Sequence, residues 1–284
     1  MGGHRLNRDE PAYRAVALLA KRLAQEGFLV ATGGGPGAME AAHLGAAFVH
    51  CDASVLEDAL VGLATAARLP DLTLPLFTPD GSVDPERKEV LEDAHQWLVA
   101  ALDARALCPA PRGESLAIPT WRYGQEPTTP FATAYAKFFQ NSIREEALVA
   151  KSKAGIIYAQ GGGGTIREIF EDMEENYYAA SSTDFTPMIF FDSHGYWNSN
   201  AEFNPVDGSL LSRAIKLDEV VNRTFKVARA SHHDTEQCLE KVRFIVDVDE
   251  IVSLLHAHAS TARANLALML EGRSAELPAA SWNR

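Results

Sequence analysis

At 284 residues, with 46% hydrophobic and 23% charged positions, the chain has the composition of a globular protein able to bury one large core or two modest ones. Lys+Arg 26 against Asp+Glu 38 gives a net charge of -12, which argues against a broad nucleic-acid or anionic-membrane footprint, since both need basic surface. Three scattered cysteines imply no disulfide framework or zinc knuckle, and no apolar run reaches the roughly 18 residues of a membrane span. With no signal peptide at its start, the chain reads as a reduced cytoplasmic protein.

In chain order, residues 9–27 carry helical spacing (Ala15, Leu18, Leu19, Leu23), with Pro11 near the first turn and Gly27 at the end. FLVAT (28–32) reads as a short buried strand, GGGPG (33–37) as a turn, and AMEAAHLGAAF (38–48) as a small-residue helix suited to close packing on a sheet. Two amphipathic helices are expected at about 54–68 and 85–105, split by the turn-rich LPDLTLPLFTPDGSVDP; together they form a helical insertion over about 54–110. SLAIPTW (115–121) reads as a strand running into a loop, and 127–152 as one long helix with Pro130 near its start. AGIIYAQ (154–160) is a second buried strand, after which GGGGT opens a helix reaching about 180. PMIFFD (187–192) and VRFIVD (242–247) read as strands, 208–216 and 249–271 as helices, and about 272–284 as a tail. Strands alternating with helices predict a single α/β domain over 1–284, with a doubly wound, mostly parallel Rossmann-like sheet. Gly2-Gly3 resembles a strand-to-helix turn without its strand. Either the start lies upstream of Met1 or the fold tolerates a gap or an exposed edge.

The glycine turns at 33–37 and 161–164 carry the chemistry. Glycines at the carboxyl end of a strand let the backbone approach a ligand closely, and the helix that follows aims unpaired N–H groups and a positive dipole end at the same spot. Two such turns on neighbouring strands suit one shared phosphate ester; tight packing of helix on strand is the bland alternative. No lysine follows either turn, so a P-loop is excluded. The dinucleotide fingerprint also fails, because its sixth position is Ala38 counted from Gly33 and Glu40 counted from Gly35. Asp52 stands at roughly the distance of a ribose-binding acid but on a poor strand end. A mononucleotide fits better than a dinucleotide. Thr165-Ile166-Arg167-Glu168 also has the form of a capping box, in which Glu168 would bond back to the amide of Thr165.

G-G-x-G-T-x-x-E at 161–168, with GGGPGAMEAAHLGA at 33–46, resembles the LOG family (the "lonely guy" phosphoribohydrolases, often mislabelled lysine decarboxylases). IPTWRYGQEP at 118–127 and FFQNSIREEAL at 138–148 look like its longer bacterial members, close to nucleotide 5′-monophosphate nucleosidases. The resemblance runs from about Gly2 to Phe191. It implies a Rossmann-like fold, usually dimeric, that hydrolyses the N-glycosidic bond of a nucleoside 5′-monophosphate without cofactor or metal. By motif position the essential pair falls on Arg144 and Glu168. This chain departs from the usual pattern at Glu145 (lysine), Gln160 (proline) and Gln125 (histidine).

On this reading Gly162, Gly163, Gly164 and Thr165 bind the 5′-phosphate, with Gly34, Gly35 and Gly37 facing them, while Glu168 reaches the ribose. Arg144 has no acid one helical turn away, and Glu145 beside it should not face it, so Arg144 is expected to serve the ligand. Glu171 is expected to assist and Asp172 to be solvated. Trp121, Tyr123 and Glu126 follow a strand and could meet base or ribose, although core packing suits the Trp equally. His232, His233 and Asp234 read as a solvated polar loop, and His256 and His258 cannot share a ligand face. A non-catalytic nucleotide sensor and a packing-only protein are the competing readings.

Overall fold

The computed structural model describes residues 1–109, 111–121, 126–193, 195–198, 215–230 and 233–260. It is an α/β protein with two three-stranded parallel sheets. The first sheet has the order β1 (Val30–Thr32), β2 (Ser115–Ala117), β3 (Ala134–Tyr135). The second has β4 (Ile156–Tyr158), β5 (Met188–Phe191), β6 (Val242–Ile245). The register pairs Val30 with Ser115, Leu116 with Ala134, Ile156 with Met188, and Met188 with Val242. Of the helix expected over 208–216 only Ile215 and Lys216 are described, and they are not helical; the helix expected over 249–271 is described as far as residue 260, and the tail lies outside the described residues.

α1 (Pro11–Gln25) starts on Pro11, whose missing N–H costs nothing in a first turn, and buries Ala12, Tyr13, Val16, Leu19 and Leu23. It packs on α2 (Ala38–Ala47), where a side chain at Gly45 would meet the Ala17 carbonyl oxygen at 1.9 Å. The small-residue run thus lets the two backbones touch. Above them sits the expected insertion, α3 (Ala53–Ala64) and α4 (Lys88–Ala106), with Leu56, Leu63, Ala101 and Ala104 turned into the same core. Asp52 occupies the N-cap position of α3, not a strand end.

A buried ion pair ties these layers together. Arg8 donates through Nε and Nη2 to Glu40 at 2.9 and 2.7 Å, and Tyr13 donates to the same carboxylate at 2.9 Å. Arg8 Nη1 reaches the Trp97 carbonyl at 2.7 Å, and its guanidinium lies 3.7 Å over the Trp97 ring. Cys51 and Cys108 also meet across the insertion, free thiols with Sγ atoms 3.1 Å apart. Burial first, and the Cys51 hydrogen bond second, push the Cys108 thiol up to about 12.

Strand β5 shows why the middle strand of the second sheet is apolar throughout. Ile189 and Phe191 face the core of α1 and α2, while Met188 and Phe190 face α5 (Asn141–Lys151), α6 (Gly163–Tyr177), α7 (Asp218–Ala228) and α8 (Thr235–Leu239). Residues 248–260 are helical and place Ile251, Val252 and Leu255 on the first of these cores.

The long helix expected over 127–152 is overturned. α5 begins only at Asn141; residues 127–133 are loop and turn, and 134–138 run extended beside β2 and the residues that follow it. Ala136 donates to Ala117 and Phe138 to Pro119, both at 2.9 Å, while Trp121 donates to Phe138 at 2.9 Å. An apolar spacing compatible with either form went to the one that satisfies an open sheet edge.

The two sheets are not hydrogen-bonded to each other. Met1–Gly3 lies against β4: the Met1 ammonium donates to Ile157 O at 2.8 Å, Ala159 N–H to Met1 O at 2.9 Å, and Gly3 N–H to Gln160 O at 3.0 Å. Beside it, an apolar groove of about 780 Å³ separates β1 from β4.

Candidate functional site

Gly3 joins the two glycine turns. Its carbonyl accepts the Ala38 N–H at 3.1 Å, at the start of α2, while a Cβ on Gly3 would stand 2.9 Å from Gly161 Cα. The turns after β1 and β4 therefore converge on one segment, but their glycines do different work. Gly34, Gly35 and Gly37 are buried. Gly37 has φ of 69°, and a Cβ there would meet Gly3 O at 2.4 Å; one on Gly34 would meet the Ala117 side chain at 2.7 Å. Close packing is thus reason enough for Gly34 and Gly37. Gly162, Gly163 and Gly164 are exposed, and a side chain on any of them would meet nothing within 4 Å.

That open turn is the N-terminus of α6. The first intrahelical bond runs from Ile166 N–H to Gly162 O at 3.0 Å, so the N–H groups of Gly163, Gly164 and Thr165 have no acceptor within the helix. Thr165 is consequently the third helical residue rather than the cap, and Gly162 holds the N-cap position without a side-chain bond. The expected capping box does not form. Thr165 Oγ1 instead packs over Gly161, where an added Cβ would come within 2.2 Å of it.

Glu168, on the second turn of α6, points inward and meets Arg144 of α5, with Arg144 Nη1 3.3 Å from Glu168 Oε1. Both are buried. Asn141, one turn earlier, fixes the guanidinium by accepting from Nη2 at 2.6 Å and Nε at 3.2 Å. Nη1 also lies under the first glycine turn, since a Cβ on Gly33 would come within 2.6 Å of it. Arg144 is thus not the unpaired cation its helix neighbours suggested. Glu145 departs from expectation as well: it is buried, 3.7 Å from Arg144 Nη2 and 3.2 Å from Arg167, and it accepts from Asn141 at 2.7 Å.

Burial is the largest influence on Glu168 and pushes its carboxyl above the usual range; the Met1 ammonium and Arg144 pull the other way. Burial and the nearby Glu145 likewise raise half-buried Glu171. Asp172 is not solvated. It accepts from Tyr158 Oη at 2.6 Å and from Asn176 at 3.2 Å, and burial pushes it up to about 7 despite the Tyr158 bond. Its proton is held more tightly in the folded chain, so the stability it contributes falls as pH rises from the ordinary 3.8 through about 7. Asp172→Asn removes that titration. The variant's stability relative to the parent should therefore improve between about pH 4.5 and about pH 8.5 in urea unfolding, and a pH-independent difference would refute the shift.

Glu126 stands at the mouth of the first turn, its Oε2 3.3 Å from where a Gly35 Cβ would lie and its Oε1 3.3 Å from His4 Nδ1. Trp121 is not core. It is exposed, stacked on exposed Phe139 with centroids 6.1 Å apart, and covered by Lys137 at 4.1 Å. Tyr123, Gln125 and His232 lie outside the described residues. Asp234 is buried rather than solvated, bound to Arg229 at 3.1 Å. His256 pairs with Glu26 and His258 with Lys241, on separate faces. Among the described residues no three His, Cys, Asp or Glu side chains gather as metal ligands, and no helix is long and apolar enough to cross a membrane.

Asn141, His4 and Tyr196, which donates to Gly161 O at 2.7 Å, went unsingled by sequence reasoning. Asn141 alone left a signal, standing three residues before Arg144 on one helix face. A comparison with protein-family models finds no match, and neither does a search of curated proteins.

Proposed function

We propose that this chain hydrolyses the N-glycosidic bond of a nucleoside 5′-monophosphate, releasing free base and ribose 5-phosphate. The observation that carries this reading is the buried contact of Arg144 with Glu168 beside two converging glycine turns, one of them open. The 5′-phosphate sits at Gly162, Gly163, Gly164 and Thr165, where amides without helical acceptors meet the positive end of α6. Glu168, a turn further along, is set back from that anion and serves the ribose. A desolvated carboxylate there stabilises the positive charge that develops at C1′ as the base leaves with its bonding electrons and water adds. Arg144 counters the burial that would protonate Glu168, and its Nη1 is the donor turned toward the ligand.

The finer architecture belongs to this reading. The orders β1-β2-β3 and β4-β5-β6 fit the two halves of a doubly wound, Rossmann-like sheet. The exposed Trp121, Phe139 and Ile143 support a homodimer, and the free thiols of Cys51, Cys108 and Cys238 a reduced, cytoplasmic setting.

Incubation with AMP, GMP, CMP or isopentenyl-adenosine monophosphate, followed by chromatography of free base, tests the reaction. Base release from at least one is expected. A thermal shift without release would make the chain a nucleotide-binding protein instead, and neither response would leave the glycines a packing role alone.

A further inference from the structure

We propose that Cys51 and Cys108 form a peroxide-responsive modification site: oxidation closes them into a disulfide that staples together the two ends of the α3–α4 insertion.

The fold brings these two residues to one place. Cys51 stands immediately before Asp52, the N-cap of α3, and Cys108 immediately after Leu107, the C-cap of α4. Everything between them is the insertion, whose turn-rich middle over 69–84 is largely exposed. The two Sγ atoms are 3.1 Å apart, closer than sulfurs in ordinary van der Waals contact. A bond between them needs a shift of only about an ångström. Both backbones are already pinned. Cys51 N–H donates to Phe48 O at 3.1 Å and its carbonyl accepts from Lys21 Nζ at 2.5 Å, while Cys108 N–H donates to Arg105 O at 3.2 Å.

The thiols are not equivalent. Cys51 is partly exposed and Cys108 is buried, so an oxidant in solution meets Cys51 first. Cys108 Sγ donates to Ala47 O at 3.2 Å and accepts from Cys51 Sγ, which turns a sulfur lone pair toward the atom it attacks. Lys21 and Arg112, the charged groups acting on Cys108, are both cations and favour a thiolate there. Burial works against them, and the contact with Cys51 offsets that by making the second step intramolecular.

The chemistry balances with one peroxide. The Cys51 thiol attacks a peroxide oxygen, the O–O bond breaks, and water leaves behind a sulfenic acid. Cys108 Sγ then attacks Cys51 Sγ, the S–O bond breaks, and the hydroxyl departs as water with the Cys108 proton. Two thiols lose two electrons and two protons, and the peroxide ends as two waters. A dithiol reductant reverses the bond.

Buried cysteines commonly serve as small apolar side chains, and Cys238, enclosed in the second core, is such a case. That role does not account for two thiols in contact at the neck of one insertion.

The test treats the fully reduced chain with a few equivalents of hydrogen peroxide, then maps disulfides by mass spectrometry after digestion without reductant. A Cys51–Cys108 cross-link within one chain is expected, with Cys238 still a free thiol. The thermal midpoint should rise by about 5 °C and return on adding dithiothreitol. Protease nicking within 69–84 should then give fragments that separate on a gel only after reduction. Cys51→Ser should lose the cross-link and the shift, whereas Cys238→Ala should keep both. A bond through Cys238, a bond between chains, or sulfinic acid at Cys51 beside a free Cys108 overturns the proposal. So does a cross-link that leaves the midpoint unchanged, or one that forms as fast in urea as in the folded chain. Should a variant fail to fold, the disulfide map and midpoint of the unsubstituted chain decide on their own.

Discussion

Glu168→Gln is expected to lower base release from the preferred nucleoside 5′-monophosphate by roughly 10³-fold while leaving nucleotide binding intact. The substitution keeps the shape of the side chain and removes its charge, the property that opposes a cation at C1′. Under the proposed function binding survives, because backbone amides at Gly163 to Thr165 would hold the phosphate. The fold survives because Arg144 keeps Asn141 and Glu145 as partners when Glu168 no longer carries charge. Chromatography of free base and a nucleotide-induced thermal shift separate the two effects. Unchanged turnover would remove Glu168 from the chemistry, and a loss of folding would instead make it a structural partner of Arg144.

Glu40→Ala should be the most destabilising single change, costing about 3–5 kcal/mol in urea unfolding, because it leaves the Arg8 guanidinium buried without an anion. Arg8 and Glu40 are both fully buried, and the pair also holds Tyr13 and the Trp97 carbonyl. Replacing both by apolar residues of similar volume, Arg8→Met with Glu40→Leu, should recover most of the loss, since no lone charge then remains. A Glu40→Ala cost near zero would mean that Arg8 escapes to solvent. The Trp97 contact makes a further readout available: the tryptophan emission should shift when the anchor is lost.

The parts of the fold that could be read in advance are those written in local chemistry. The turns at Gly33 to Gly37 and Gly161 to Gly164 both occur where expected: positive φ at Gly34 and Gly37 and close backbone at Gly161 demand glycine, whereas Gly162 to Gly164 stand open. Motif position named Arg144 and Glu168 together, but neither their contact nor the way Glu168 is presented followed from it. An N-cap at Gly162 rather than Thr165 moves Glu168 to the second turn, and three residues of frame decide between a capping carboxylate and an inward-facing one. Residues 127–140 were misread because their spacing suits two conformations, and the edge of β2, distant in sequence, makes the choice. The burial of Asp172 was equally invisible, since its partner Tyr158 sits on the strand before the turn. Such tertiary decisions leave no trace in a neighbourhood of ten residues.

The placement of Met1 has a practical side. Its amino group donates into the ladder of β4 and acts electrostatically on Glu168. Whatever that nitrogen carries therefore bears on the ionisation of Glu168, and comparisons of activity between preparations need the status of that amine checked by mass spectrometry.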